Sequence, residues 1–152
     1  MKVFFAFDRD GDRERAAMLR PLWDGADRTS SGFCDDWSWT AVLSRGPTGV
    51  EDWVREEMDG AEVVLVLIGA ETAYRAPVRL AIERAVAAGL GVVGLRVHRM
   101  VEEGAALPFP GPDPLFELRD RFATHDWLPG FSDRFLRNWI ELAAERARGT
   151  DS

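Results

Sequence analysis

The sequence predicts an α/β fold built on a central, mostly parallel sheet with helices on both faces, and three observations predict it. Two runs, Glu62 to Gly69 (EVVLVLIG) and Leu90 to Val97 (LGVVGLRV), are almost continuously apolar and rich in β-branched residues, as strands covered on both faces must be. Between them, Tyr74 to Ala88 spaces its apolar residues at a helical period, so strand, helix and strand form a parallel crossover unit. A third apolar run, Lys2 to Phe7 (KVFFAF), stops abruptly at the acidic stretch DRDGD, the pattern of a buried strand turning into a helix.

The remaining elements follow in chain order. Arg13 to Trp23 reads as the first helix, with Pro21 placed to shorten or kink it because proline lacks the amide donor. Asp24 to Gly49 has little periodicity; a short strand is expected near Phe33, then an ordered loop in which Trp37 and Trp39 pin FCDDWSW. TGVEDWVREEMDGA predicts a helix with Thr48 as cap, Glu51 completing a capping box, and Val50, Trp53, Val54 and Met58 on one face. His98 to Pro114 is rich in Gly and Pro and reads as an irregular excursion. RFATHDW supplies a last edge strand, and Ser132 to Arg148 a final helix carrying Phe135, Leu136, Trp139, Ile140, Leu142 and Ala143.

The 152 residues suffice for one domain with its own core, placed at residues 1–148 with a flexible tail at 149–152. No apolar run reaches twenty residues, and MKVFFAFDRD turns acidic too early for a signal peptide. A cytoplasmic protein without membrane contact is expected. The single Cys34 fits a reducing compartment, and the net charge of -7 argues against broad nucleic-acid binding. Lys2 is the only lysine beside eighteen arginines, which excludes any mechanism that needs an interior lysine.

Open parallel sheets place ligand sites beyond the carboxyl ends of their strands, so the candidate segments follow Phe7, surround Asp36, and follow Gly69. A calcium loop beginning at Asp8 fails, because Arg13 stands where glycine is needed and Leu19 where a bidentate glutamate belongs. An aspartyl-nucleophile phosphatase would need a late lysine. Asp10 and Asp12 fit a solvated turn, with Asp12 capping the first helix; Asp8, at the strand end, has the better claim to a site. His98 and His125 have no metal-ligand spacing with each other or with Cys34, so no metal site is expected. Neither a phosphate-cradling glycine motif nor a GxSxG elbow is present. Gly69 is a close-approach position, Tyr74 is placed either to stack on a ligand ring or to lid the core, and Asp36 either bonds backbone amides or takes a ligand hydroxyl.

VFFAFDRD, DDWS, EDWVREEMDGAEVVLVLIGAETA and VRLAIERAVAAGLGVVGLR occur in an order and at a spacing that resemble the TIR-like domain of the Thoeris anti-phage defence system, its ThsB-type component. The resemblance runs from Val3 to about Val97. It implies a flavodoxin-like TIR fold whose site takes NAD+ as substrate, breaks the nicotinamide–ribose bond and produces a cyclic ADP-ribose-type signal for a separate effector. It further implies self-association and a phage-derived trigger as partners. Phe5, Phe7 and Asp8 would line the first strand end, Asp36 and Ser38 a loop wall, Gly69 the close approach, and Tyr74 the entrance.

The family's catalytic glutamate lies on the helix after the third core strand, where a carboxylate stabilises the positive charge that develops on the ribose as nicotinamide leaves. Aligned on Val78, Ile82 and Ala85, this chain has Pro77 where a Trp is usual and Ala81 where that glutamate is expected; Ala6 replaces a small hydroxyl residue in the first strand. Glu83 falls on the opposite helix face and does not substitute. Three accounts fit: a natural noncatalytic nucleotide-binding or assembly module, an enzyme using another acid such as Asp8 or Asp36, or an enzyme silenced by a Glu-to-Ala change. The last is preferred from sequence alone, with a nucleotide-binding protein of unrelated duty as a further alternative.

Overall fold

The computed structural model describes residues 1–150. Five parallel strands lie in the order β2-β1-β3-β4-β5, with β1 at Lys2–Ala6, β2 at Thr29–Ser31, β3 at Ala61–Ile68, β4 at Gly91–Arg96 and β5 at Thr124–Asp126. The helices are α1 (Arg9–Trp23), α2 (Asp36–Leu43), α3 (Gly49–Met58), α4 (Ala76–Ala88) and α5 (Asp133–Thr150). This is the flavodoxin-like α/β arrangement. The chain leaves β1 toward β2 and then returns to the other side of β1 to add β3, so the strand order reverses there. Such a reversal opens a crevice at the carboxyl ends of β1 and β3.

Strand alternation divides the core into two layers. Val3, Phe5 and Phe7 share one layer with Val63, Leu65 and Leu67, packed against α1 and α5 through Leu19, Trp23, Leu136 and Ile140. Phe4 and Ala6 point the other way with Val64, Val66 and Ile68, and meet Trp53, Val54, Val78 and Ile82 from α3 and α4. The period of two in β1 and β3 is therefore hidden in the sequence, because both faces are buried. Truncating Leu65 or Leu67, both about fully buried, is expected to cost about 2–5 kcal/mol.

Several local expectations change. Helix α1 begins at Arg9 rather than Arg13, and its cap is Asp8, whose carboxylate accepts the Asp10 amide at 3.2 Å; Asp12 lies one turn inside the helix. Pro21 is accommodated within α1, which runs on to Trp23. CDDWSW is not a loop: Asp35 accepts the Ser38 amide at 2.7 Å and starts α2. That helix escaped notice because Val42 is its only buried residue, which leaves no periodic apolar face to read. Trp37 is 87% exposed and pins nothing, whereas Trp39 packs edge-on against Trp53 at 5.1 Å. The Thr48 side chain makes no cap bond to the backbone of α3, so the expected capping box is not formed.

Thr72–Tyr74 forms a single 3-10 turn and α4 starts only at Ala76, with Pro77 in its first turn. Pro77 is tolerated there because first-turn amides have no intrahelical acceptor. Gly89, at φ 71°, closes α4 in the left-handed conformation, and Leu90 then donates to the Ala85 carbonyl at 2.9 Å. The segment between β4 and the Phe116–Leu118 turn is irregular, as its glycines and prolines suggest. The final helix extends past Arg148 to Thr150; of the expected tail, residues 151 and 152 lie outside the described residues.

Candidate functional site at the strand reversal

The carboxyl ends of β1 and β3 are joined by charges taken out of water. Asp8 and Asp12 are each 2% exposed. Asp8 follows β1 directly, and its Oδ1 lies 2.9 Å from Nε of Arg75, the residue before α4. The contact distance is that of an ion pair, but the Nε–H is not aimed at the carboxylate in hydrogen-bond geometry. Arg75 Nη2 also lies 3.9 Å from Asp10 Oδ2. Arg75 therefore spans from the β3–α4 connection to the start of α1.

Asp12 makes the second link. Arg15 donates to its Oδ1 at 2.6 Å and to the Met100 carbonyl at 2.9 Å, tying α1 to the irregular segment after β4. Burial raises the Asp12 carboxyl above its usual range, partly offset by Arg15. Thr72, fully buried, accepts the Gly69 amide at 2.8 Å and donates to the Leu67 carbonyl at 3.0 Å, which satisfies the frayed end of β3. Gly69 is required here for space, since a Cβ on it would lie 2.3 Å from Asp12 Oδ2. Gly111, at φ 76°, comes down on the other side, where a Cβ would lie 2.8 Å from the Ala70 backbone.

A cleft of about 10 Å³ is bordered by Ala6, Phe7, Arg9, Pro77 and Val78, room for about one water. A separate, wider groove of about 980 Å³ runs from Asp10 and Gly11 along α1 to Met100 and Ala105. Among the expected site residues, the structure gathers Phe5, Phe7 and Asp8 at the end of β1 and seats Gly69 against Asp12. Tyr74 is 63% exposed, beside Arg75, and is not a lid on the core.

Asp36 meets this region only through arginines of α1, and Ser38 lies farther off. Asp36 is exposed and pairs with Arg13 at 2.9 Å and Arg9 at 3.4 Å, and these cations hold its carboxyl below the usual range. Arg9 also donates to the Cys34 carbonyl at 2.7 Å and covers the Trp39 ring at 4.8 Å. Ser38 borders a different groove, with Trp37, Arg45 and Glu57.

Ala81 is fully buried. It belongs to the apolar layer of Ala6, Val66, Ile68, Val78 and Ile82, one turn along α4 from the residues that border the cleft. Glu83 is exposed on the opposite side.

Sequence reasoning missed Arg9, Asp12, Thr72 and Arg75 as members of this region. Their pairings join residues far apart in the chain, which no spacing rule anticipates; Thr72, three residues after Gly69, was the one local signal, a hydroxyl placed to accept a strand-end amide. Among the described residues, no group of three His, Cys, Asp or Glu is arranged to hold a metal ion, and no helix is long and apolar enough to cross a membrane.

The family model for the TIR-like domain of Thoeris protein ThsB matches residues 4–102, a span that runs from within β1 through β4 and holds Asp8, Asp12, Gly69, Thr72, Arg75 and Ala81. The chain belongs to this family. No curated protein matches it at a significant level. For a TIR-like domain, the strand reversal described above is the site to be explained, and the β5 and α5 region lies beyond the matched span.

Proposed function

We propose that this TIR-like domain acts in bacterial anti-phage defence as a nucleotide-binding module, engaging NAD+ or an ADP-ribose derivative at the carboxyl ends of β1 and β3 without cleaving it. The observation that carries this reading is Ala81. Cleavage by the family's route needs a carboxylate facing the ribose from α4, and position 81 is instead sealed in apolar packing.

The polar groups at the cleft suit a dinucleotide. Arg9 and Arg75 supply guanidinium donors for phosphate oxygens, and the groove along α1 has the volume of a nucleotide-sized ligand. The cleft itself must widen before a ribose can enter. The defence setting of the family adds copies of the chain, a phage-derived trigger and a nucleotide-responsive effector as partners in the proposal.

A second reading keeps catalysis and assigns it to Asp8, favoured by the burial of that carboxylate just past the end of β1. Incubation with NAD+ separates the two, with nicotinamide measured by chromatography and affinity by calorimetry. Binding without nicotinamide release above the protein-free rate is expected. Release that disappears in Asp8→Asn would establish the second reading, and release by a folded Ala81→Glu protein would restore the silenced-enzyme account.

A further inference from the structure

We propose that the Asp8–Arg75 pair is a latch across the cleft, and that the diphosphate of an incoming nucleotide opens it by replacing Asp8 as the anion of Arg75. The inference rests on the nucleotide-binding reading and specifies how that site is gated. Asp8 is the residue after Phe7, and Arg75 lies two before Pro77, so the pair ties together the two chain segments that supply Phe7 and Pro77 to the cleft. With the pair made, the cleft holds about 10 Å³, far too little for a ribose.

The two partners differ in a way that decides which one moves. The Asp8 side chain is 3% exposed, fixed at the start of α1 by the Asp10 amide, whereas the Arg75 side chain is 42% exposed. Arg75 is also incompletely satisfied, since its Nε–H has no hydrogen-bond acceptor in proper geometry although the Asp8 oxygen is 2.9 Å away. Its neighbour Asp10, 75% exposed and 3.9 Å from Nη2, borders the wide groove along α1. A guanidinium swinging off Asp8 toward that groove meets a bidentate phosphate partner and relieves its unmade bond. No covalent step is involved; one anion exchanges for another.

The latch makes predictions of opposite sign for its two halves, which a purely structural ion pair does not. Arg75→Ala should weaken ADP-ribose binding by about tenfold, as loss of a charge-assisted phosphate contact does, and leave adenosine, which lacks phosphate, unchanged. Asp8→Asn removes the competing anion yet keeps a residue equally able to cap α1; it should bind ADP-ribose several-fold more tightly than the unaltered protein. Arg75→Lys should fall between Arg75→Ala and the unaltered chain. Calorimetry with ADP-ribose and adenosine, with thermal melting to verify folding, reads all of these.

Tighter binding by Asp8→Asn with weaker binding by Arg75→Ala supports the latch, even if the unaltered protein binds too weakly to measure. A common affinity of all the proteins for ADP-ribose, or weaker binding by a folded Asp8→Asn, overturns the latch while leaving the nucleotide site in place. Failure of every protein to bind either ligand overturns both proposals.

Discussion

On the α1 side of the strand reversal, charge has been taken inside; on the α4 side it has been excluded. Asp8 and Asp12 are as inaccessible to water as the core, but each has an arginine within 3 Å. Val78, Ala81, Ile82 and Ala85 are also buried and pack in a cluster of apolar side chains. Burying a carboxylate is tolerable when a guanidinium and backbone amides accompany it and costly when they do not. The two walls of one cleft thus show why a TIR-like site can keep its polar rim and still have no place for the helix carboxylate.

The largest expected effect comes from forcing the α4 wall to resemble the α1 wall. Ala81→Glu introduces a larger, charged group into filled apolar space and should lose at least about 3 kcal/mol of stability, read as a lower denaturation midpoint. An unchanged midpoint would show that the wall accepts a carboxylate after all.

The α1 side should fail by crowding rather than by charge. Gly69→Ala places a methyl within 2.3 Å of an Asp12 oxygen and should cost about 2 kcal/mol. In a double-mutant cycle with Asp12→Ala, the two losses should be less than additive; strict additivity would break the assigned contact.

Titration sharpens the same contrast. Because the folded Asp12 carboxyl is raised above its ordinary value of 3.8, the folded state holds its proton more tightly than the unfolded chain does. Its contribution to stability is then fully present below pH 3.8 and is lost as pH rises through the folded value. Relative to Asp12→Asn, the unaltered protein should gain stability as the solution is acidified from neutral, measured by denaturation at a series of pH values. A gain on moving alkaline would reverse the assignment. The smallest effect belongs to the exposed Asp36: Asp36→Asn should leave the melting temperature within error, because solvent screens surface ion pairs.

Much of this architecture was legible in the residues. EVVLVLIG and LGVVGLRV could only be covered strands, and the inward face of Val78, Ala81, Ile82 and Ala85 followed from helical spacing alone. α2 was not legible, because a helix that buries only Val42 has no amphipathic signature. The cap of α1 was displaced from Asp12 to Asp8 since several acids in DRDGD satisfy the same local rule, and only burial distinguishes them. Asp8 was picked out as a strand-end residue, but its partner Arg75 lies 67 positions away, at the other end of a crossover. Such pairings depend on strand order, which local patterns do not encode.

The central claim is that NAD+ is held at the strand reversal and left whole. A nitrogen–proton correlation spectrum of labelled protein, recorded through a titration with NAD+ while the proton signals of nicotinamide are followed in the same tubes, tests both halves. The account predicts shifts confined to amides near Phe7 to Gly11 and Gly69 to Arg79, with the bound nicotinamide intact throughout. Shifts centred elsewhere, no shifts at all, or the growth of free nicotinamide would contradict it.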